Sequence, residues 1–168
     1  MSGYYFPILG TCSISGSSGS VSFTNLTYNM PYTGTVTVSG SQISMSGSLT
    51  TSGTTYSWSG TSQGSATTTS SASYSCEGNY NATIAGNSGS MTLVQDGVGN
   101  VDGYLLLQGY YYVLSGVCYG SSGTISLTNL TTGSTYTGSV SFSGSTISAS
   151  GTFTLSSGTA YSWSATSH

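Results

Sequence analysis

The chain has 168 residues with no lysine or arginine, three acidic residues and one histidine, for a formal charge of -3. Affinity for nucleic acid or an anionic membrane surface comes from Lys and Arg meeting phosphates, so both partner classes are excluded. Counting along the chain gives 39 Ser, 27 Thr and 25 Gly beside 36% hydrophobic residues, so it has enough apolar side chains for a core and presents hydroxyls rather than ions to water.

The first element is Tyr4-Tyr5-Phe6-Pro7-Ile8-Leu9, apolar on both faces. Strands buried on two sides read this way, and so do strands that dock on a neighbour. Tyr4, Tyr5, Phe6, Pro7, Ile8 and Leu9 are therefore the candidates for a strand lent to another subunit by β-augmentation. The stretch is too short, and lacks the basic flank, for a signal peptide. No run of 18 apolar residues follows anywhere, so no transmembrane helix is expected.

From Val21 the period is two. Val21 and Phe23, Val36 and Val38, Ile43 and Met45, and Tyr56 and Trp58 alternate with Ser or Thr, the pattern of half-buried strands. Ser39-Gly40-Ser41 and Ser52-Gly53 interrupt them at hairpin spacing. Residues 1–61 thus predict five or six strands, a β unit that looks incomplete. Residues 62–74 are a Ser/Thr-rich linker.

Residues 75–108 add "NYNATIAG", "GSMTLVQDG" and "NVDGYLLLQG", three more strands separated by Gly86–Gly89 and Asp96–Asn100. The last runs into a second doubly apolar stretch, Gly103 to Leu114. Beyond it the first pattern returns: Ile125 and Leu127, Val140 and Phe142, Ile147 and Ala149, Phe153 and Leu155, Tyr161 and Trp163. "YTGTVTVSG" becomes "YTGSVSFSG", and "TTYSWSG" becomes "TAYSWSA". Cys12 aligns with Cys118, Asn25-Leu26-Thr27 with Asn129-Leu130-Thr131, and Trp58 with Trp163. Repeats of this length are duplicated supersecondary units. Residues 75–168 then hold about eight strands, enough for a closed barrel or a full sandwich. The expected fold class is all-β, as two related antiparallel β-sandwich or barrel units from an internal duplication.

The chain has three cysteines, Cys12, Cys76 and Cys118, with no Cys-x-x-Cys pair. An odd count predicts one disulfide and one thiol that stays free or pairs between chains. Cys76 pairs with Cys118 or with Cys12, since those two occupy matching sites. Asn25, Asn81 and Asn129 each open an Asn-x-Thr acceptor sequence. Glycans there would hydrate a surface without charge and are an expected partner class.

The run Gly89-Ser90-Met91-Thr92-Leu93-Val94-Gln95, then Val101-Asp102-Gly103, then Tyr136-Thr137-Gly138-Ser139-Val140-Ser141, resembles the Ser/Thr/Gly-rich antiparallel β-domains of secreted bacterial proteins. The uncharged composition is similar to that of filament-forming, pilus-like or matrix-like extracellular subunits, in some of which one subunit lends a strand to the next. The resemblance implies an extracellular or cell-surface location and strand-exchanging self-assembly. It assigns no functional residue.

Little here does chemistry. Glu77, Asp96 and Asp102 are the only acids, and Asp96 sits in a turn sequence, "QDGVGN". A triad would need His168, the last residue, and a single histidine completes no zinc site. No enzyme activity, cofactor or metal site is expected. Monomeric sheets guard their edges with Lys, Pro or bulges, whereas this chain has only Pro7 and Pro31. The expected function is a structural subunit of an extracellular filament, sheath or matrix whose partner is itself, a homopolymer. The alternative is a carbohydrate-binding or adhesive lectin-like β-domain, followed by a small-ligand β-barrel or an ice-binding face.

Overall fold

The computed structural model describes residues 6–62, 75–96 and 98–168. Among them every regular element is a β-strand and all pairing is antiparallel. Tyr4, Tyr5 and most of the 62–74 linker lie outside the described residues.

The first unit is one sheet in chain order: β1 (Ile8–Ser15), β2 (Ser18–Asn25), β3 (Met30–Ser39), β4 (Gln42–Thr51) and β5 (Thr54–Thr61). Its hairpins are tight. Ser52 and Gly53 both hold positive φ, 50° and 77°, the two-residue turn whose twist matches the flanking strands.

The second unit is β6 (Gly78–Ile84), β7 (Asn87–Gln95), β8 (Asn100–Leu107), β9 (Tyr110–Tyr119), β10 (Thr124–Asn129), β11 (Thr135–Ser143), β12 (Thr146–Thr154) and β13 (Ala160–Ser167). β13 pairs back onto β6, from Trp163 opposite Ile84 to Ser167 opposite Tyr80, and closes the barrel. Alternate residues point inward. Tyr80, Leu105, Leu114, Tyr136 and Trp163 are each at most 2% exposed. Eight strands make an interior that side chains fill, and here they fill it.

Of the sandwich or barrel expected for residues 75–168, the structure shows the barrel. Residues 6–62 correct that expectation and form neither: β5 does not pair with β1, and among the described residues the five strands stay an open sheet.

The two units share their registers. Cys12 faces Val21 as Cys118 faces Ile125, and Phe23 faces Tyr32 as Leu127 faces Tyr136. Gly34 faces Gly47 as Gly138 faces Gly151, and Gly47 faces Trp58 as Gly151 faces Trp163. Thus β1–β5 repeat, pair for pair, the arrangement of β9–β13. What β9–β13 have in addition is β6, β7 and β8.

Candidate functional site

The difference between the two units is concentrated on one face of β1–β5. Strand alternation puts Ile8, Cys12, Val21, Phe23, Val36, Met45 and Trp58 on that face, in the positions that point into the barrel in the other unit. Glycines face each other across β3–β4 and across β11–β12. A side chain on Gly47 would run into the Thr33 carbonyl, and one on Gly151 into the Thr137 carbonyl. Only glycine lets the strands approach this closely, and an indole covers each glycine pair.

Aromatic rings fill the centre of the face. Phe23 stacks on Tyr32 at 4.9 Å, and Trp58 meets Phe23 edge-on at 5.0 Å. The counterpart barrel cluster has Tyr136 stacked on Phe153 at 4.7 Å and Trp163 edge-on to Tyr136 at 5.8 Å. Ile8, Cys12, Val21, Phe23, Met45 and Trp58 line a hollow of about 420 Å³. It is mostly apolar and open to solvent.

Burial separates the two faces. Val36 and Val21 are buried at 0% and 7% exposure, but Ile8 is 55% exposed where its counterpart Leu114 is 0%. Cys12 is an exposed free thiol, whereas Cys118 is fully buried in a disulfide. Trp163 Nε1 donates to the Thr137 carbonyl at 3.2 Å. Trp58 Nε1 is buried without a hydrogen-bond partner, a condition that costs about 1–3 kcal/mol. Among the described residues the sheet also ends in two strands paired on one side only, β1 with β2 and β5 with β4. A face half covered, two edges unpaired among the described residues and an orphaned indole N–H together make this face the candidate site.

The remaining residues singled out from sequence take structural places. Ile8 and Leu9, expected to leave for another subunit, are paired within this chain opposite Asn25 and Thr24, at the outer edge of the sheet; Phe6 and Pro7 precede β1. Of the two pairings left open, the disulfide joins Cys76 to Cys118, with Cα atoms 6.3 Å apart. Asn25 and Asn129 are 5% and 3% exposed. Each closes a turn, Asn25 Oδ1 accepting from the Thr27 and Tyr28 amides and Asn129 Oδ1 from those of Thr131 and Thr132. Asn81, on β6, is the exposed member of the three. Asp96 accepts from the Val98 and Asn100 amides at 3.0 and 2.8 Å and from Asn100 Nδ2 at 2.7 Å. The Asn100 side chain, with these amides, holds its carboxyl below the usual range. Its work is to tie the β7–β8 turn. No cluster of three His, Cys, Asp or Glu residues able to hold a metal occurs among the described residues.

Gln95 was legible and missed. It follows Met91 and Leu93 in inward phase, a polar residue where the pattern calls for an apolar one. It is 7% exposed, its Oε1 accepting from the Cys76 amide at 2.6 Å and its Nε2 donating to the Cys118 carbonyl at 3.1 Å. One amide side chain thus satisfies the backbone beside both disulfide cysteines.

The barrel interior carries a pH dependence. Burial pushes the phenols of Tyr80 and Tyr136 up to about 12, and Tyr80 Oη also donates to the Cys76 carbonyl at 2.6 Å. Both are neutral when folded, and the unfolded chain ionises first. Their contribution to stability is fully present below about pH 10 and falls away as pH rises toward 12. Unfolding midpoints measured across that interval should drop, with two tyrosines per chain titrating only as the barrel opens.

Compared with protein-family models, curated proteins and solved structures, the chain matches none.

Proposed function

We propose that the chain is a non-enzymatic structural subunit of an extracellular filament, sheath or matrix, built from two copies of one five-strand module that arose by internal duplication. Subunits join through the open copy. One observation carries this reading: among the described residues β1 and β5 are unpaired edges on a sheet whose apolar face is half exposed, in a chain with no lysine or arginine to guard them. Such edges are templates for another chain, and head-to-tail contacts that do not close make fibres. The shared registers of the two units support the duplication, and a buried disulfide suits an oxidising, extracellular setting.

Placing charge on that face tests the idea. Ile14 and Tyr56 lie on the two edge strands and are 44% and 52% exposed, so the substitutions Ile14→Lys and Tyr56→Lys leave the core alone. A buried, unpaired lysine opposes association by several kcal/mol. The double variant is expected to sediment as a folded monomer where the parent forms ordered fibres in electron micrographs. Fibres persisting in the variant, or a parent that stays monomeric at high concentration, overturn the reading.

A further inference from the structure

Going beyond that assembly reading, and competing with copy-to-copy contact for the same edges, we propose that the β1–β5 sheet is a receptor for a three-stranded antiparallel meander built like residues 75–108. The meander closes the sheet into a second eight-stranded barrel and brings a cysteine to Cys12.

The chain contains its own template for this contact. In the barrel, β8 covers the free edge of β9, β6 covers the free edge of β13, and β7 joins them. β1 and β5 are the corresponding edges of a sheet with the same registers. Of the positions that β8 pairs on β9, Leu114 to Val117 have their counterparts in β1 at Ile8 to Thr11, and there, as along β5, a meander that fits β9 and β13 finds the same alternation of faces. It would cover Ile8, which is 55% exposed where Leu114 is 0%, and Cys12, which is exposed where Cys118 is 0%. Beside Gly60 there is open space where a Cβ would stand, while its counterpart Ala165 is 3% exposed inside the barrel.

Two polar observations point the same way. Trp58 Nε1 is buried and unpaired, whereas Trp163 Nε1, in the closed unit, reaches the Thr137 carbonyl. Closure compresses β5 toward β3 and lets Trp58 do likewise at Thr33. Cys118 is joined to Cys76, which stands two residues ahead of β6. Cys12 holds the Cys118 position opposite Val21, so a cysteine just ahead of the docking meander would lie against it. The bond forms by exchange with glutathione disulfide: two protein thiols become one S–S bond, and the oxidant leaves as two glutathione thiols.

The occupant is not the 75–108 segment of another copy. Among the described residues each chain carries one such meander and two five-strand sheets, and the meander already closes β9–β13. Copies exchanging meanders leave one sheet in two open. The partner is a further polypeptide segment of this chemistry: three short alternating strands, uncharged, with Tyr, Met and Leu inward and a cysteine before the first strand.

The probe is a synthetic peptide of residues 75–108, added to the full chain in a glutathione redox buffer. Three results are expected: a one-to-one disulfide between peptide Cys76 and chain Cys12, mapped by mass spectrometry; amide exchange in β1 and β5 slowed about tenfold or more; and Trp58 shielded from acrylamide. A scrambled peptide with the same cysteine should give none of them. Because a free peptide can fail to fold, a second form carries residues 75–108 fused ahead of Gly3 in the full chain, which repeats the Gln-Gly-Tyr-Tyr sequence found at the β8–β9 turn. It is expected to show two disulfides and no free thiol. The proposal is overturned if both forms leave Cys12 free and the edges unprotected, if the peptide links to Cys118 instead, or if the chain alone buries the face against a second copy. Fibres that form without taking up peptide would sink this proposal and leave the assembly reading intact. Peptide closure in a chain that never forms fibres would do the reverse.

Discussion

Trp163→Ala is expected to cost the barrel about 3–5 kcal/mol, the range for removing a large buried aromatic, whereas Trp58→Ala should cost the open sheet only about 1–2 kcal/mol, in keeping with a ring that is partly exposed. The two residues hold the same register position, opposite Gly151 and Gly47. They differ in what lies over them. Trp163 is 2% exposed inside a closed barrel, and its removal empties the space above the Gly138–Gly151 pair. Phenylalanine sharpens the comparison. Trp163→Phe breaks the Nε1 bond to Thr137 and should cost about 1 kcal/mol beyond the lost volume. Trp58→Phe removes an N–H that has no partner and should be neutral or stabilising. Hydrogen exchange reads the two units separately, which a single spectroscopic midpoint does not. Equal losses at both sites would mean that the β1–β5 face is covered.

Much of this was written in the sequence, because strand alternation is a local signal. Val21/Phe23, Val36/Val38 and Tyr56/Trp58 each announce one face, and the Ser-Gly steps between them place the hairpins within a residue or two. Residues 75–108 declared three strands for the same reason. Closure was not legible, since it depends on a contact between Trp163 and Ile84, residues far apart in the chain, and alternation is the same in a sandwich as in a barrel. The Cys76 partner was undecided because Cys12 and Cys118 have equivalent neighbours. What distinguishes them is which five-strand sheet the intervening meander completes, a global outcome. The doubly apolar Gly103–Leu114 run resolves the same way. Leu105 and Leu114 point inward at 0% exposure, while Tyr104 meets Tyr111 edge-on at 5.6 Å on the outer side of the hairpin. The open site itself was half visible. An incomplete first copy could be counted, but the orphaned Trp58 N–H and the hollow beside Cys12 exist only once the strands are placed.

Why the meander closes β9–β13 and not β1–β5 follows from connection and from sulfur. β8 runs into β9 through the two-residue turn Gln108-Gly109, with φ of 52° and 83°, so that pairing is a local hairpin and forms with little loop entropy. The alternative pairing of β8 with β1 spans most of the chain. The disulfide then makes the choice durable.

Removing that bond with Cys76→Ala and Cys118→Ala should cost the barrel about 4 kcal/mol, the loop-entropy value for the sequence separation of 42. The closed loop holds all of β6, β7 and β8 and most of β9, so its loss frees the very segment that completes the barrel. Both cysteines are fully buried. Native protein should therefore present one thiol per chain to a thiol reagent, Cys12, and release the other two only after unfolding and reduction. Gln95 sets how local the damage is. Its amide holds the Cys76 N–H and the Cys118 carbonyl, and Gln95→Leu strands both, at about 1–3 kcal/mol for each group left unpaired. Since the two devices tie the same pair of backbones, their losses should not add: with the cysteines gone, the end of the barrel loosens, water reaches those groups, and the leucine costs less. Urea unfolding of the parent, the double-cysteine variant, the Gln95 variant and the triple variant closes that cycle. Strict additivity would show that Gln95 and the disulfide act on separate parts of the barrel, and a chain without Cys76 and Cys118 as stable as its parent would show that the meander needs no fastening at all.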